Sequence, residues 1–286
     1  MEKNPKAPSA LPLRGSLAPA YAASILIALL TASASIAGML YPGILYPDDV
    51  LFQSFVPNDA VNLMVGLPIL IVSMALARRG RLLGLLLWPG ALLYLFYNYL
   101  VYLFCMPYEP SFLAYLALTA ASAYTIIALL AVIDGEAVRK RLSGAVPEQL
   151  CGGVLAGLGA LFLLRIAGNV TGSAGGATAV ERAVDTADFL ASPAWIIGGV
   201  LLWRRKALGY AGGLGLLFSL SMLFIGLIFF FFLEPALIAV PFRAVDVLVV
   251  LIMGMIVFVP MGMFLRGMMG KPSSPPLLPT DVGRRE

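Results

Sequence analysis

The chain has 286 residues, of which 60% are hydrophobic and only 12% are charged, and its mean hydropathy is +0.94. A soluble domain carries about 25% charged residues, so this composition excludes an ordinary soluble protein and makes lipid the expected solvent. The net charge is +4 and histidine is absent, which removes the usual zinc and haem ligand and the Ser-His and Cys-His pairs of nucleophilic catalysis. We expect no cofactor, no metal site and no nucleic-acid partner.

Apolar stretches of about 20 residues are long enough to cross a bilayer, and inside it they must be helical. Eight such stretches follow one another, over residues 18–40, 59–77, 82–104, 112–133, 150–167, 186–203, 208–233 and 243–265. The first follows a basic leader, but its run exceeds the ~7–15 residues of a signal-peptide core, so we expect it to remain as a helix. The sequence predicts an all-α, polytopic transmembrane helix bundle.

The spans divide the chain into five segments. They are a cytoplasmic N-terminal segment (1–17), a first four-helix transmembrane half (18–133), a cytoplasmic linker (134–149), a second four-helix transmembrane half (150–265) and a cytoplasmic tail (266–286). The tail contains the Pro-rich stretch KPSSPPLLP, which favours disorder.

Lysine and arginine fall almost entirely on one side of these spans. Of the 19 cations, 16 lie in the segments that include both termini and the stretches ARRGRLLG (77–84) and WRRKALGY (203–210); the other side holds only Arg165, Arg182 and Arg243. Cytoplasmic loops are the ones enriched in Lys and Arg. We therefore expect a multi-pass protein of the cell membrane with both termini in the cytoplasm.

Residues of the same kind recur in the two halves at a nearly constant spacing. At 125 residues the pairs are Pro68 with Pro193, Arg81 with Lys206, Gly84 with Gly209, Glu109 with Glu234 and Pro110 with Pro235; at 126 they are Asp59 with Asp185, Asn62 with Asp188, and Arg78-Arg79 with Arg204-Arg205. The period crosses four spans, so the halves share one orientation. It predicts a 4+4 duplication of parallel repeats about an axis along the membrane normal. Basic turns and mid-span prolines also recur without duplication, and that alternative stays open.

Ionisable side chains at membrane depth are costly and are functional candidates. They gather toward the outer side: Asp59, Asp185, Asp188 and Asp246 at span ends, Glu109 and Glu234 in adjoining loops, and Arg165 as the one cation at similar depth. In the duplicated arrangement, Asp59, Glu109, Asp185 and Glu234 would ring the outer mouth of the bundle.

Helix capping is a second interpretation of these carboxylates. Asp59, Asp185 and Asp246 lie at predicted helix N-termini, where a carboxylate accepts hydrogen bonds from free N–H groups. Asn62 and Asp188 lie about one turn further in and are candidates for ligand binding. Arg165 either reaches the lipid headgroups or neutralises one of the carboxylates.

The third span is dense in aromatic residues, namely Trp88, Tyr94, Phe96, Tyr97, Tyr99, Tyr102 and Phe104, with Asn98 among them. Tyr94 and Asn98 share one helix face, and Asn98 must find a partner helix or a cavity. One interpretation is the polar, aromatic wall of a ligand pocket. The other, which the pattern favours, is an interhelical hydrogen bond combined with an interfacial aromatic belt.

Two pairs of small residues predict where helices approach closely. Ala34-xxx-Gly38 lies in the first span and Gly153-xxx-Gly157 in the fifth. Such spacing lets two helix backbones come together in a membrane.

The sequence from Pro57 to Leu130 resembles a group of uncharacterised prokaryotic multi-pass membrane proteins. The stretches that carry the resemblance are PNDAVNLMVGLPILIVSMALARRG, WPGALLYLFYNYLVYLF and EPSFLAYLAL. The resemblance covers about a quarter of the chain and rests on membrane-type residues. It implies no substrate and no reaction.

Three functions fit these observations. The first is translocation of a small solute or ion through a pocket between the two halves, with ligand-binding candidates Asn62, Asp188, Asn98, Tyr94, Asp59, Asp185 and Arg165. The second is a non-catalytic accessory, sensor or assembly subunit that holds a membrane-protein partner. The third, an enzyme using Asp185 and Asp188 on a lipid-linked substrate, is the least favoured, and no catalytic residue is assigned. The expected partners are the lipid bilayer and a small-molecule or cation ligand.

Overall fold

The computed structural model describes residues 11–172 and 176–270. Within these residues eight helices are long and apolar enough to cross a membrane: α1 (Ala18–Leu40), α2 (Asp49–Arg78), α3 (Leu82–Cys105), α4 (Pro110–Val132), α5 (Glu148–Gly172), α6 (Ala179–Trp203), α7 (Ala207–Ile238) and α8 (Ala244–Met269). Short helices occupy two of the connections, Pro42–Leu45 and Gly135–Leu142. The predicted all-α transmembrane bundle of eight spans is confirmed at this level.

The outside of the bundle is apolar and its centre is one helix. α3 is buried along most of its length, including Leu85, Trp88, Tyr94 and Tyr99. α8, in contrast, exposes a continuous row of large apolar side chains, among them Val245, Leu248, Ile252, Ile256 and Val259. Apolar surface of this extent needs an apolar solvent, so the architecture is that of a multi-pass membrane protein.

The connections form two faces. The cation-rich face contains the turn 79–81, the segment 133–147 and the turn 204–206, and the cation-poor face contains 41–48, 106–109, 176–178 and 239–243. On the cation-rich face Arg14 pairs with Asp134 at 3.0 Å, and Tyr210 donates a hydrogen bond to Glu148 at 2.7 Å. These bonds hold the N-terminal segment and the linker against the helix ends.

The two basic turns have the same geometry. Each joins two helices by three residues, and the middle residue is in the left-handed region, with φ of +71° at Gly80 and +54° at Arg205. The next N–H returns to the preceding helix, from Arg81 to the Leu76 carbonyl at 3.0 Å and from Lys206 to the Leu201 carbonyl at 2.9 Å. Turns this short leave their cations on the surface of the bundle.

Two helices begin earlier than predicted. α2 begins at Asp49 rather than 59, because Asp48 accepts the Leu51 N–H at 2.8 Å and caps it. α6 begins at Ala179 rather than 186, because Thr178 and Glu181 form a capping box. The predicted spans began only at the longest apolar runs, but a capped helix starts earlier, at its cap. The interpretation of Asp59 and Asp185 as N-caps is therefore wrong.

The carboxylates of the second half also lie elsewhere than expected. α7 continues to Ile238, so Glu234 lies inside the helix and not in the following loop. Arg243 donates to both Glu234 carboxylate oxygens, at 2.9 and 3.1 Å. Asp246 is in the first turn of α8, 3.5 Å from Arg243, and is not the capping residue. The predicted disordered tail lies, from residue 271 onward, outside the described residues.

Close helix contacts occur at glycines, but not at the predicted pair in the fifth span. Gly152 and Gly199 bring α5 and α6 together, since a Cβ on either would strike the other backbone. Gly157 has no atom of another helix within 4 Å of such a Cβ. Gly152 and Ala156 of α5 meet the α6 backbone, and each is one position before the predicted Gly153 and Gly157. α3 and α7 meet directly at Gly90 and Gly215: a Cβ on Gly90 would overlap the Gly215 carbonyl.

Candidate functional site

A cavity of about 480 Å³ lies between the two predicted halves. α2 and α3 form one wall and α5, α6, α7 and α8 form the other, in the part of the bundle nearer the cation-poor face. Phe55, Phe162, Leu223, Phe224 and Phe230 supply apolar surface. Small-molecule sites typically have about 300–1,000 Å³ and a mostly apolar lining with a few convergent polar groups, so this cavity has the size and character of a ligand site.

Among the residues that the structure describes, seven polar side chains line the cavity: Ser54, Asn58, Tyr94, Tyr97, Asn98, Arg165 and Asp188. Of the ligand-binding candidates drawn from the sequence, the structure brings Tyr94, Asn98, Arg165 and Asp188 together there. Asn62, Asp59 and Asp185 do not line it. Asn62 is fully buried in a π-helical turn, Asn62–Gly66, with no hydrogen-bond partner for its amide among the described residues.

One guanidinium binds two carboxylates at the edge of the cavity. Arg165 donates to Asp188 at 2.6 Å and to Asp185 at 2.8 Å. Arg165 therefore neutralises carboxylates, which is one of its two predicted roles, rather than reaching the lipid headgroups. Tyr97 donates to the other Asp188 oxygen at 2.8 Å, and Asn169 donates to Asp185. One cation against two carboxylates leaves a formal charge of −1.

The aromatic residues of the third span are mostly interior. Trp88, Tyr94, Tyr99 and Tyr102 are at most 1% exposed, so they are not an interfacial belt. Asn98 donates to the Tyr94 carbonyl of its own helix at 2.9 Å, and the predicted interhelical hydrogen bond is absent from the described contacts. Asn98 lines the cavity instead.

Asp59 lies in a second polar site, inside the first half. Tyr46 and Tyr102 donate to its two carboxylate oxygens, at 2.5 and 2.9 Å. Asp59 is 1% exposed and takes part in none of the ion pairs of the described residues. Burial, and then the adjacent carboxylate, raises the pKa of Tyr46 above its usual value. The phenol therefore stays protonated and remains a hydrogen-bond donor.

The predicted ring of four carboxylates does not form around this cavity. Asp59 faces the tyrosines, Asp185 binds Arg165, and Glu234 binds Arg243. Glu109 precedes α4 and makes no side-chain cap. None of the four lines the cavity, and the helices, longer than predicted, place Asp59, Asp185 and Glu234 inside a helix rather than at its end.

Sequence reasoning missed Ser54 and Asn58, which the predicted second span did not include. Their spacing, one helical turn apart on the face that continues to Asn62, would have placed them on one wall if the Asp48 cap had been recognised. Tyr97 appeared only as one of many aromatics. Its contact with Asp188 joins α3 to α6 and depends on the packing of the two halves, for which the sequence has no local signal.

An apolar eight-helix bundle around an amphipathic cavity defines a multi-pass membrane protein with an internal site of small-molecule size. Comparison with models of protein families, with curated proteins and with solved structures found no match to this chain.

Proposed function

We propose that the protein translocates a small solute, apolar or cationic, through the cavity between its two halves. The cavity of about 480 Å³, with Asp188 in its wall, is the observation that carries the proposal. Membrane transporters bind their substrates near the interface of two helical halves, and the cavity lies at that place.

The charge of the cavity wall favours a cation over an anion. Arg165 is held by both Asp185 and Asp188, so its positive charge is already matched. The remaining charge of the cluster is negative, and the phenyl and aliphatic side chains that line the rest of the cavity suit an apolar body. A small amphipathic cation satisfies both surfaces.

A closed contact on one side of the cavity supports alternating access. Gly90 and Gly215 press α3 against α7 one helical turn from Tyr94, toward the cation-rich face. The contact leaves no space between α3 and α7 at that point. Rocking of the two halves about the contact would transfer the solute.

We also infer that the halves are parallel repeats. Gly90 and Gly215 are 125 residues apart, the spacing of the sequence repeat, and they touch each other. Two equivalent residues can meet in this way where a two-fold axis passes between them. The matching geometry of the turns at Gly80 and Arg205, also 125 apart, supports the same relationship.

The topology that accompanies this function places the cation-rich face in the cytoplasm and the protein in the cell membrane. After replacement of Cys105 and Cys151 by alanine, we expect Tyr108→Cys to react with a membrane-impermeant maleimide in intact cells. Tyr108 is 91% exposed on the cation-poor face. Arg79→Cys should react only after lysis, and labelling in the reverse pattern would refute the orientation.

Transport is tested with the purified chain in proteoliposomes, using radiolabelled benzyltrimethylammonium and tetraethylammonium as cationic probes. We expect uptake above that of protein-free vesicles, and Asp188→Asn to lower it about tenfold or more, since one lost charge contact is worth at least ~1.4 kcal/mol. Val101→Trp, which fills the cavity, should abolish uptake.

Asp246→Asn is the matched control, because Asp246 is a carboxylate near the same face but outside the cavity. It should transport like the unmodified chain. Equal uptake by the chain, Asp188→Asn and Val101→Trp, or no uptake of either probe by the intact chain, would overturn the proposal.

A further inference from the structure

The first half contains a buried carboxylate without a countercharge. Asp59 of α2 is 1% exposed, and its partners are the phenol groups of Tyr46 and Tyr102. Two neutral hydrogen-bond donors lower the cost of burying an ionised carboxylate but do not remove it.

Unpartnered hydroxyl groups lie beside this carboxylate. Ser35 of α1 is fully buried next to Asp59, and its oxygen completes no hydrogen bond. The hydroxyls of Thr31 and Tyr99 are also fully buried, and both lie close to one another and to Ser35 without completing a hydrogen bond among the described residues. Buried polar atoms are normally satisfied, and here three neighbouring hydroxyls, one of them next to an unpaired carboxylate, still have lone pairs free for a ligand.

The packing of α1 keeps this group of oxygens together. Gly38 lies against the Asp59 carboxylate and the Tyr46 hydroxyl, and any side chain there would overlap both. Ser35 lies close to one turn before Gly38, and Thr31 one turn before Ser35, so all three occupy the same face of α1. The face is thus built around the carboxylate.

In the second half the corresponding carboxylates are paired with a positively charged side chain of the protein. Arg165 neutralises Asp185 and Asp188 there. In the repeat register the residues corresponding to Arg165 are Met39 and Leu40, so the first half has no arginine at that place.

We propose that Asp59, with the hydroxyls of Ser35, Thr31 and Tyr99, binds a monovalent cation of the Na⁺ type. The donors are all oxygens, which suit hard cations and not transition metals. One carboxylate balances one positive charge, whereas divalent ions in proteins collect several carboxylates. The site is separate from the central cavity and stands whether or not that cavity carries a solute.

Thermal unfolding of the full chain in detergent, followed by tryptophan fluorescence, tests this site. NaCl is compared with KCl and choline chloride at equal ionic strength. We expect Na⁺ at about 100 times its Kd to raise the Tm by roughly 5–10 °C over choline, because the ligand binds only the folded state. Asp59→Asn should lose this shift, and Asp246→Asn should keep it.

Ser35→Ala and Tyr99→Phe keep the test decisive if Asp59→Asn fails to fold. Each removes one unpartnered oxygen, so each should leave the Tm in choline unchanged and raise several-fold the Na⁺ concentration needed for half of the shift. An equal Tm in Na⁺ and choline refutes the site, as does a Na⁺ shift that persists in all three variants. A Tm that responds to pH through Asp59 but not to Na⁺ would assign a proton, and would also refute it.

Discussion

Gly90→Ala should lower the Tm of the protein by roughly 2–10 °C, corresponding to a loss of about 1–3 kcal/mol from overpacking. The added methyl group would overlap the carbonyl, C and Cα atoms of Gly215. These are backbone atoms of α7 and no rotamer change can move them. The helices must therefore separate at a place where their backbones touch directly.

A side chain on Gly215 would meet less crowding at this contact than one on Gly90, so the two substitutions can be compared. A Cβ on Gly215 would lie 3.0 Å from the Leu86 carbonyl oxygen and 3.1 Å from the Gly90 nitrogen. Gly215→Ala should therefore cost less than Gly90→Ala. Gly262→Ala is the control, since a Cβ there meets nothing within 4 Å and alanine favours the helix. Equal Tm values for Gly90→Ala and Gly262→Ala would contradict this view of the helix crossing.

The number and position of the helices could be predicted because each span is a long apolar run, and lipid imposes helical structure on such a run. Their starts could not, because caps such as Asp48 and Thr178 extend a helix into polar sequence. That error moved Asp59 and Asp185 from helix interiors to helix ends. It also hid Ser54 and Asn58 from the predicted site.

The crossing of α3 and α7 was available in the sequence but not recognised. Gly90 and Gly215 have the repeat spacing of 125 residues, and glycine permits the closest approach of two membrane helices. The predicted repeat pairs are mainly charged residues and prolines; they include the glycine pair Gly84 and Gly209 but not Gly90 and Gly215. The positions of Asn98 and Tyr97 in the cavity wall could not be predicted in the same way, since the packing of the whole bundle determines which face of α3 lines the cavity.

Arg165→Ala should destabilise the protein by about 2 kcal/mol. Breaking a buried ion pair costs about 3–5 kcal/mol, and the cost is lower here because the Arg165 side chain is 46% exposed. The Asp188 side chain is only 5% exposed, so the variant leaves a buried carboxylate whose one described partner is Tyr97. Arg165→Lys should recover only part of the loss, since lysine keeps the positive charge but its shorter side chain does not place the ammonium group where one Arg165 nitrogen contacts both carboxylates.

A double-mutant cycle separates this effect from the simple loss of a long side chain. In an Asp188→Asn background Arg165→Ala should cost about 1 kcal/mol less than in the intact chain, because the buried charge is no longer there to be orphaned. Arg182→Ala is the matched control: its guanidinium binds the Ala177 carbonyl on the exposed surface, and its loss should change stability by no more than about 0.5 kcal/mol. Additive effects of the Arg165 and Asp188 changes would mean that this ion pair does not stabilise the cavity wall.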